Sequence, residues 1–123
     1  MSDSSPPPFV VFRKPAAGPE PYERTLELVG AIHRFLETAP ARFHLKDRLD
    51  RIATALVVVV ARARSDLESV RWRQYRAALR LATDCAAVID IFARQRGAPD
   101  DDIAAARAIA AKLCAELKPL ALW

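Results

Sequence analysis

Three arginines in the middle of the chain have the spacing of one helix face. Arg73, Arg76 and Arg80 lie three and four residues apart, so on a helix their guanidinium groups project from the same side. Trp72 and Tyr75 lie among them. A surface that combines arginines with aromatic rings is typical of nucleic-acid binding, because the charges contact phosphates and the rings stack on bases.

A second interpretation of this arginine row stays open. The row also fits a solvated helix face whose charges are paired with carboxylates. Asp84 follows Arg80 by four residues, which is the spacing of a helical ion pair. Arg73 and Arg76 have no acidic residue at that spacing.

Positive charge is concentrated around this row. Residues 42–80 hold ten basic and four acidic side chains, a net charge of +6, whereas residues 1–41 and residues 81–123 each carry −1. Such a cluster attracts polyanions, and the planar guanidinium group suits bidentate contacts with phosphate. The candidate nucleic-acid-binding residues are therefore Arg48, Arg51, Arg62, Arg64, Arg71, Arg73, Arg76 and Arg80.

Neither a catalytic site nor a cofactor site is indicated. The glycines Gly18, Gly30 and Gly97 are too far apart to form a phosphate-binding loop. His33 and His44 lie on different segments, and no Glu-x-x-His pair marks a di-iron bundle. Because no nucleophile, base and orienting group can be assembled from these residues, we expect a protein that is not an enzyme and has no metal or other cofactor.

The two cysteines are expected to serve packing. A helical hairpin that turns near residues 98 and 99 would bring Cys85 and Cys114 to about the same level. In a reducing compartment such thiols are usually small buried hydrophobic groups. Nothing near them in sequence supplies an activating base.

The ends and the hydropathy of the chain indicate a cytoplasmic protein. The longest apolar stretch, residues 53–63, is shorter than the roughly 20 residues that a membrane-spanning helix needs. The first eight residues are polar and proline-rich, unlike a secretory signal. Six prolines in residues 1–21 predict a flexible tail, within which residues 9–14 form a short apolar and basic cluster that either docks on a partner or folds back on the domain.

Hydrophobic spacing predicts two helices in the first part of the remaining chain, residues 22–123. The first helix begins at Tyr22 and ends before Pro40. The second runs from Lys46 to Ala63 and is apolar nearly all round in its last half, so it must be covered on more than one side. The predicted core-facing residues are Tyr22, Leu26, Val29, His33 and Leu36 on the first helix, with Ile32 and Phe35 beside them, and Leu49, Ile52, Leu56, Val59 and Ala63 on the second.

Two further helices follow. The third is predicted from Leu67 to Arg96, capped by Ser65 or Asp66, and the fourth opens with three aspartates at residues 100–102, whose negative charge suits a helix start. Their predicted core residues are Trp72, Tyr75, Leu79, Ala82, Ala86, Ile89 and Ala93, with Leu81, Val88 and Ile91 in a second row, and Ile103, Ala106, Ala110, Leu113, Leu117 and Leu120. Four helices with short connections predict an all-α, up-down-up-down four-helix bundle over residues 22–123. The additional apolar rows predict self-association.

The order of these features resembles the accessory variability determinant (Avd) family, whose members are four-helix-bundle proteins of diversity-generating retroelements. The resemblance spans residues 22–123. Its carriers are Tyr22 at the start of the first helix, Pro40 after its end, Leu49, Arg51 and Ile52 in the second helix, Ala61, Arg62 and Ala63 at the end of that helix, and a terminal Trp123.

The resemblance implies a function as well as a fold. It implies a homo-oligomer, a pentamer, with a basic surface that binds nucleic acid (RNA or DNA) and an error-prone reverse transcriptase, in support of mutagenic retrohoming into a target gene. Related bundle proteins encoded in ribosomal-RNA intervening sequences share the fold. A structural or protein-interaction bundle is therefore the alternative.

Overall fold

The described part of the chain forms four helices that close into a bundle. The computed structural model describes residues 20–38, 43–96 and 101–122. The helices are α1 (Pro21–Thr38), α2 (Phe43–Ser65), α3 (Glu68–Arg96) and α4 (Asp101–Ala121). α1 packs against α2 and α4, and α3 packs against α2 and α4, so helices that follow one another are neighbours. The predicted all-α, up-down-up-down four-helix bundle is confirmed.

The start of the domain differs slightly from the sequence prediction. Helix α1 begins at Pro21, where a proline is tolerated because the first helical residues have no intrahelical acceptor for their N–H groups. The rest of the predicted tail over residues 1–21, including the cluster at residues 9–14, lies outside the described residues except for Glu20. None of the described helices has the length and hydropathy that crossing a membrane requires.

The predicted core face of α1 is only partly correct: Ile32 and Phe35 are buried as predicted, but the main stripe is rotated away from the centre of the core. The buried residues of α1 are Thr25, Leu28, Ala31, Ile32 and Phe35. The five predicted positions of the main stripe are half-buried or exposed, and 45% of the surface of Leu26 is exposed. Thr25 is tolerated in the core because its hydroxyl donates a hydrogen bond of 2.6 Å to the carbonyl of Pro21.

The predicted faces of the other helices are partly correct. On α2, Leu49, Leu56 and Ala63 are buried as predicted, but Ile52 and Val59 are half-buried, and Ala53 and Val60 take their places. On α3, Ala78, Cys85 and Phe92 are buried although they were not predicted for the core. Of the predicted residues, Trp72, Leu79 and Ala93 are half-buried and Ile91 is exposed. On α4, the last buried residue is Ala121 and not Leu120. Both α2 and α3 are apolar over more than one face, so periodicity alone left their rotation open.

The structure corrects the prediction at both ends of α2. Helix α2 begins at Phe43, three residues before the predicted start. Ser65 belongs to the end of α2, where its hydroxyl donates to the carbonyls of Ala61 and Arg62 at 3.3 Å. It therefore closes α2, and the side chain of Asp66 accepts a hydrogen bond from the Gln74 amide at 3.1 Å.

Two interhelical contacts join parts of the bundle that are distant in sequence. The rings of Phe35 on α1 and Phe92 on α3 meet edge to face inside the core, with centroids 5.3 Å apart. At the surface, the Arg24 guanidinium donates from Nε and Nη2 to the Glu116 carboxylate at 2.8 to 3.2 Å. This second contact fastens α1 to α4 and so closes the bundle.

Candidate nucleic-acid interface

The arginine row of α3 lies on the solvent side of the bundle. Arg73, Arg76 and Arg80 are all exposed. Thr83 contacts Cys114 of α4 at 3.9 Å, and Arg76 precedes Thr83 by seven residues, or about two turns. Arg76 therefore lies on the flank of α3 that faces α4. Arg73 and Arg80 lie further around the helix, toward its outer side.

None of these three arginines has a carboxylate partner among the residues that the structure describes. The helical ion pair that the sequence allowed between Arg80 and Asp84 is not formed. The alternative of a charge-paired helix face therefore does not apply to this row. All three guanidinium groups are available to an anion.

Trp72 lies beside this row, and two arginines of the row lie over its ring. The Cζ atoms of Arg76 and Arg73 lie 4.8 Å and 5.6 Å from the centroid of the Trp72 ring, within the range of cation–π attraction. Hydrophobic spacing predicts Trp72 in the core, but its side chain is only half-buried. The spacing of an arginine four residues after a tryptophan is the signal that could have predicted this contact.

Tyr75, in contrast, belongs to the core and not to the surface. It is 9% exposed. Burial raises the pKa of its hydroxyl, with a further contribution from Glu20, against the opposing effect of the nearby Arg71 and Arg64. Of the two aromatic residues in the sequence pattern, only Trp72 is therefore accessible to a ligand.

A shallow depression continues the row toward the middle of α3. It has a volume of about 300 Å³ and is lined by Arg76, Leu79, Arg80, Thr83 and Asp84. The Thr83 hydroxyl donates to the carbonyl of Leu79 at 2.8 Å. Leu79 and Thr83 were not predicted as site residues, since neither carries charge.

The α2 arginines divide according to the flank on which they lie. Asp50 contacts His33 of α1, and Arg64 contacts Glu20 just before α1, so both residues mark the α1 side of α2. Arg48 precedes Asp50 by two residues, and Arg62 precedes Arg64 by two. Each is therefore about 200° around the helix from the α1 side, on the side toward α3. Both are exposed and have no carboxylate partner within the described part of the chain.

The other three candidate arginines are engaged by the protein itself. Arg51 pairs with Asp47 within α2 at 3.0 Å. Arg64 lies 3.7 Å from the Glu20 carboxylate and stacks over the Tyr22 ring at 4.7 Å.

Arg71 is the third of these arginines. It is half-buried and donates to the carbonyl of Asp66 at 3.2 Å, while its buried Nε has no hydrogen-bond partner among the described residues. Since a ligand would have to displace existing contacts from Arg51, Arg64 and Arg71, these side chains are less available than the exposed, unpaired ones.

The eight candidates thus contain a subset that we call the open arginine group. Its members are Arg48, Arg62, Arg73, Arg76 and Arg80, which are exposed and lack a carboxylate partner among the described residues. Three acidic residues of this region have other partners: Asp47 pairs with Arg51, Asp50 faces His33 at 3.3 Å, and Asp66 binds Gln74. Five of the eight candidate arginines are therefore exposed and without a carboxylate partner among the described residues, three of them in the row on α3 and two on α2.

The cysteines and histidines do not form a second site. Cys85 is buried and Cys114 half-buried, and both are free thiols. Burial raises the pKa of Cys85 to about 12, so its thiol stays protonated at neutral pH. Within residues 20–38, 43–96 and 101–122, no three His, Cys, Asp or Glu side chains are grouped as a metal site requires.

Known proteins provide no further indication of the ligand. The chain has no match among protein-family models, curated proteins or solved structures.

Proposed function

We propose that this chain is a non-catalytic, cytoplasmic nucleic-acid-binding bundle that acts as an accessory protein of a diversity-generating retroelement. In that role it holds template RNA or DNA next to a reverse transcriptase during mutagenic retrohoming. The open arginine group supports the binding function. The retroelement role, the polymerase partner and a pentameric state rest on the resemblance to the Avd family.

Electrostatics explains why unpaired arginines favour this function. An exposed guanidinium that binds a phosphate releases counterions from the nucleic acid, which drives association at low salt. An arginine already paired with a carboxylate, such as Arg51 with Asp47, must first break that contact. The affinity should therefore depend on the open arginine group and should decrease steeply as the salt concentration rises.

The test compares two triple variants with the same change in net charge. In the first, Arg73, Arg76 and Arg80 are replaced by alanine. In the second, the three arginines are outside residues 42–80: Arg34 on α1, Arg94 at the far end of α3 and Arg107 on α4. Binding of a labelled structured RNA is measured by fluorescence anisotropy over a series of salt concentrations, and circular dichroism checks the helices.

The proposal expects the two variants to differ clearly. The first should lose at least about 10-fold in affinity, and the slope of log affinity against log salt should decrease by about one for each lost phosphate contact. The second should bind nearly as the wild type does. Equal weakening of both variants would mean that only net charge matters, and the proposed interface would then be wrong.

A protein-interaction bundle is the second candidate, and exposed apolar side chains favour it. Leu26, Val58 and Ile91 are 43% to 45% exposed on three different helices. Val58 belongs to the apolar part of α2 and is the best placed of them to contact another subunit. Light scattering should report an assembly larger than a monomer at micromolar concentration. If the first triple variant binds RNA unchanged while assembly persists, this second function is the better account.

A further inference from the structure

We propose that Trp72, Arg76 and Arg80 form a docking site that selects unpaired, single-stranded nucleic acid over duplex. In this site a base stacks on the platform formed by Trp72 and Arg76, and Arg80 binds a flanking phosphate. The inference rests on the proposed function and names the form of nucleic acid that this part of the surface recognises.

The platform is held in place by the bundle. Trp72 is half-buried, which anchors its ring, and the guanidinium of Arg76 lies 4.8 Å from the ring centroid. Cation–π attraction reduces the freedom of the long arginine side chain. Because Arg76 has no carboxylate partner among the described residues, its charge stays available to the nucleic acid.

An unpaired base fits this arrangement and a paired base does not. Bases in single strands stack on aromatic side chains and on the planes of guanidinium groups. Bases inside a duplex are covered on both faces by their neighbours, so they cannot reach Trp72 without leaving the stack. A duplex can use the charges of Arg76 and Arg80 but gains nothing from the ring.

The position of Arg80 suits the phosphate next to the stacked base. It follows Arg76 by one helical turn, which is about 6 Å along the axis. This distance is close to that between neighbouring phosphates of an extended strand. The depression of about 300 Å³ that both arginines line leaves room for the sugar and phosphate between them. Asp84 on its border is the one lining residue that repels a phosphate.

Intrinsic fluorescence of Trp72 tests the platform directly. Trp123 is replaced by phenylalanine, which leaves Trp72 as the only tryptophan. Its emission is followed while the full-length chain is titrated with a single-stranded oligonucleotide and with a duplex of the same sequence, and anisotropy of a label on each DNA reports binding independently. Stacking should quench the emission with the single strand only.

Two variants extend the test, with one matched control. Trp72→Leu should weaken single-strand binding about 10-fold, as expected for the loss of one stacked base, and change duplex binding less than about twofold. Arg76→Gln, at an exposed position, should also weaken single-strand binding and keeps the test valid if Trp72→Leu does not fold. Arg94→Ala is the control: Arg94 is exposed, 18 residues and so five turns further along the same side of α3, about 27 Å away, and it should leave both affinities unchanged.

The outcomes separate this inference from the proposed function. If the single strand binds without quenching Trp72, or if Trp72→Leu and Arg76→Gln bind it as tightly as wild type, the platform is wrong and the broader function stands. Equal quenching by duplex and single strand overturns the selectivity. If wild type binds neither nucleic acid at low salt, the proposed function fails as well.

Discussion

The contact between Arg24 and Glu116 offers the sharpest test of how the bundle closes. The pair links α1 to α4, which among the four described helices are the neighbours that are not consecutive in the chain. Arg24 donates from both Nε and Nη2, a forked contact that is stronger than a single hydrogen bond. Its side chain is 13% exposed and that of Glu116 is 29% exposed, so water screens the pair less than an ordinary surface ion pair.

The expected magnitude follows from this geometry. Glu116→Gln keeps the side-chain length but removes the charge, and should lower the free energy of unfolding by about 1–2 kcal/mol. Arg24→Ala also loses packing of the arginine stem and a 2.8 Å contact with Glu27, so about 2–3 kcal/mol is expected. In a domain of about 100 residues each kcal/mol corresponds to roughly 4–8 °C in Tm.

A double-mutant cycle isolates the interaction from these side effects. Urea denaturation of wild type, both single variants and the double variant should give a coupling energy of about 1–2 kcal/mol. The matched control is Arg107 with Asp90, which joins α3 to α4 at 2.7 Å but has side chains 41% and 57% exposed. Its coupling should be at most about 1 kcal/mol. A coupling between Arg24 and Glu116 that is no larger than the error of additivity, about 0.3–0.5 kcal/mol, would refute the assigned role in closure.

Three further predictions concern single positions. Gly30→Ala should raise the free energy of unfolding by about 0.5–1 kcal/mol in urea denaturation, because the added Cβ would meet only the Arg34 side chain, at an ordinary 3.7 Å. Cys85 should resist alkylation at pH 8 until the protein is unfolded, since burial raises its pKa to about 12, while half-buried Cys114 should react first, as mass spectrometry can follow. Asp84→Asn should tighten single-strand binding about two- to fivefold in anisotropy titrations, because it removes the carboxylate that lines the depression.

Much of the fold could be predicted from the sequence. The number and order of the described helices follow from hydrophobic spacing, and the seam of α4 from Ile103 to Leu117 is buried as predicted, although the start of α2 and the role of Ser65 were not predicted correctly. The rotation of α1 could not be predicted, because two apolar rows compete and only packing decides between them. The contact of Arg24 with Glu116 was also out of reach, since its partners are 92 residues apart.

The candidate site was only partly predictable for a similar reason. Charge counting identified residues 42–80 as the region rich in arginine, but it cannot distinguish a paired guanidinium from an open one. Arg51 and Arg80 look equivalent in sequence, since each has an aspartate four residues away, yet only Arg51 forms the pair. The exposure of Trp72 depended in turn on the rotation of α3.

The alternating helix directions have a consequence for chain connectivity. Because α1 starts and α4 finishes at one end of the bundle, residues 20 and 122 lie at the same end, where Arg24 and Glu116 form their contact. The link between α2 and α3 contains only Asp66 and the 76% exposed Leu67. A circularly permuted form of residues 20–122, opened at that link and rejoined by a short linker from 122 to 20, should keep every helix pairing.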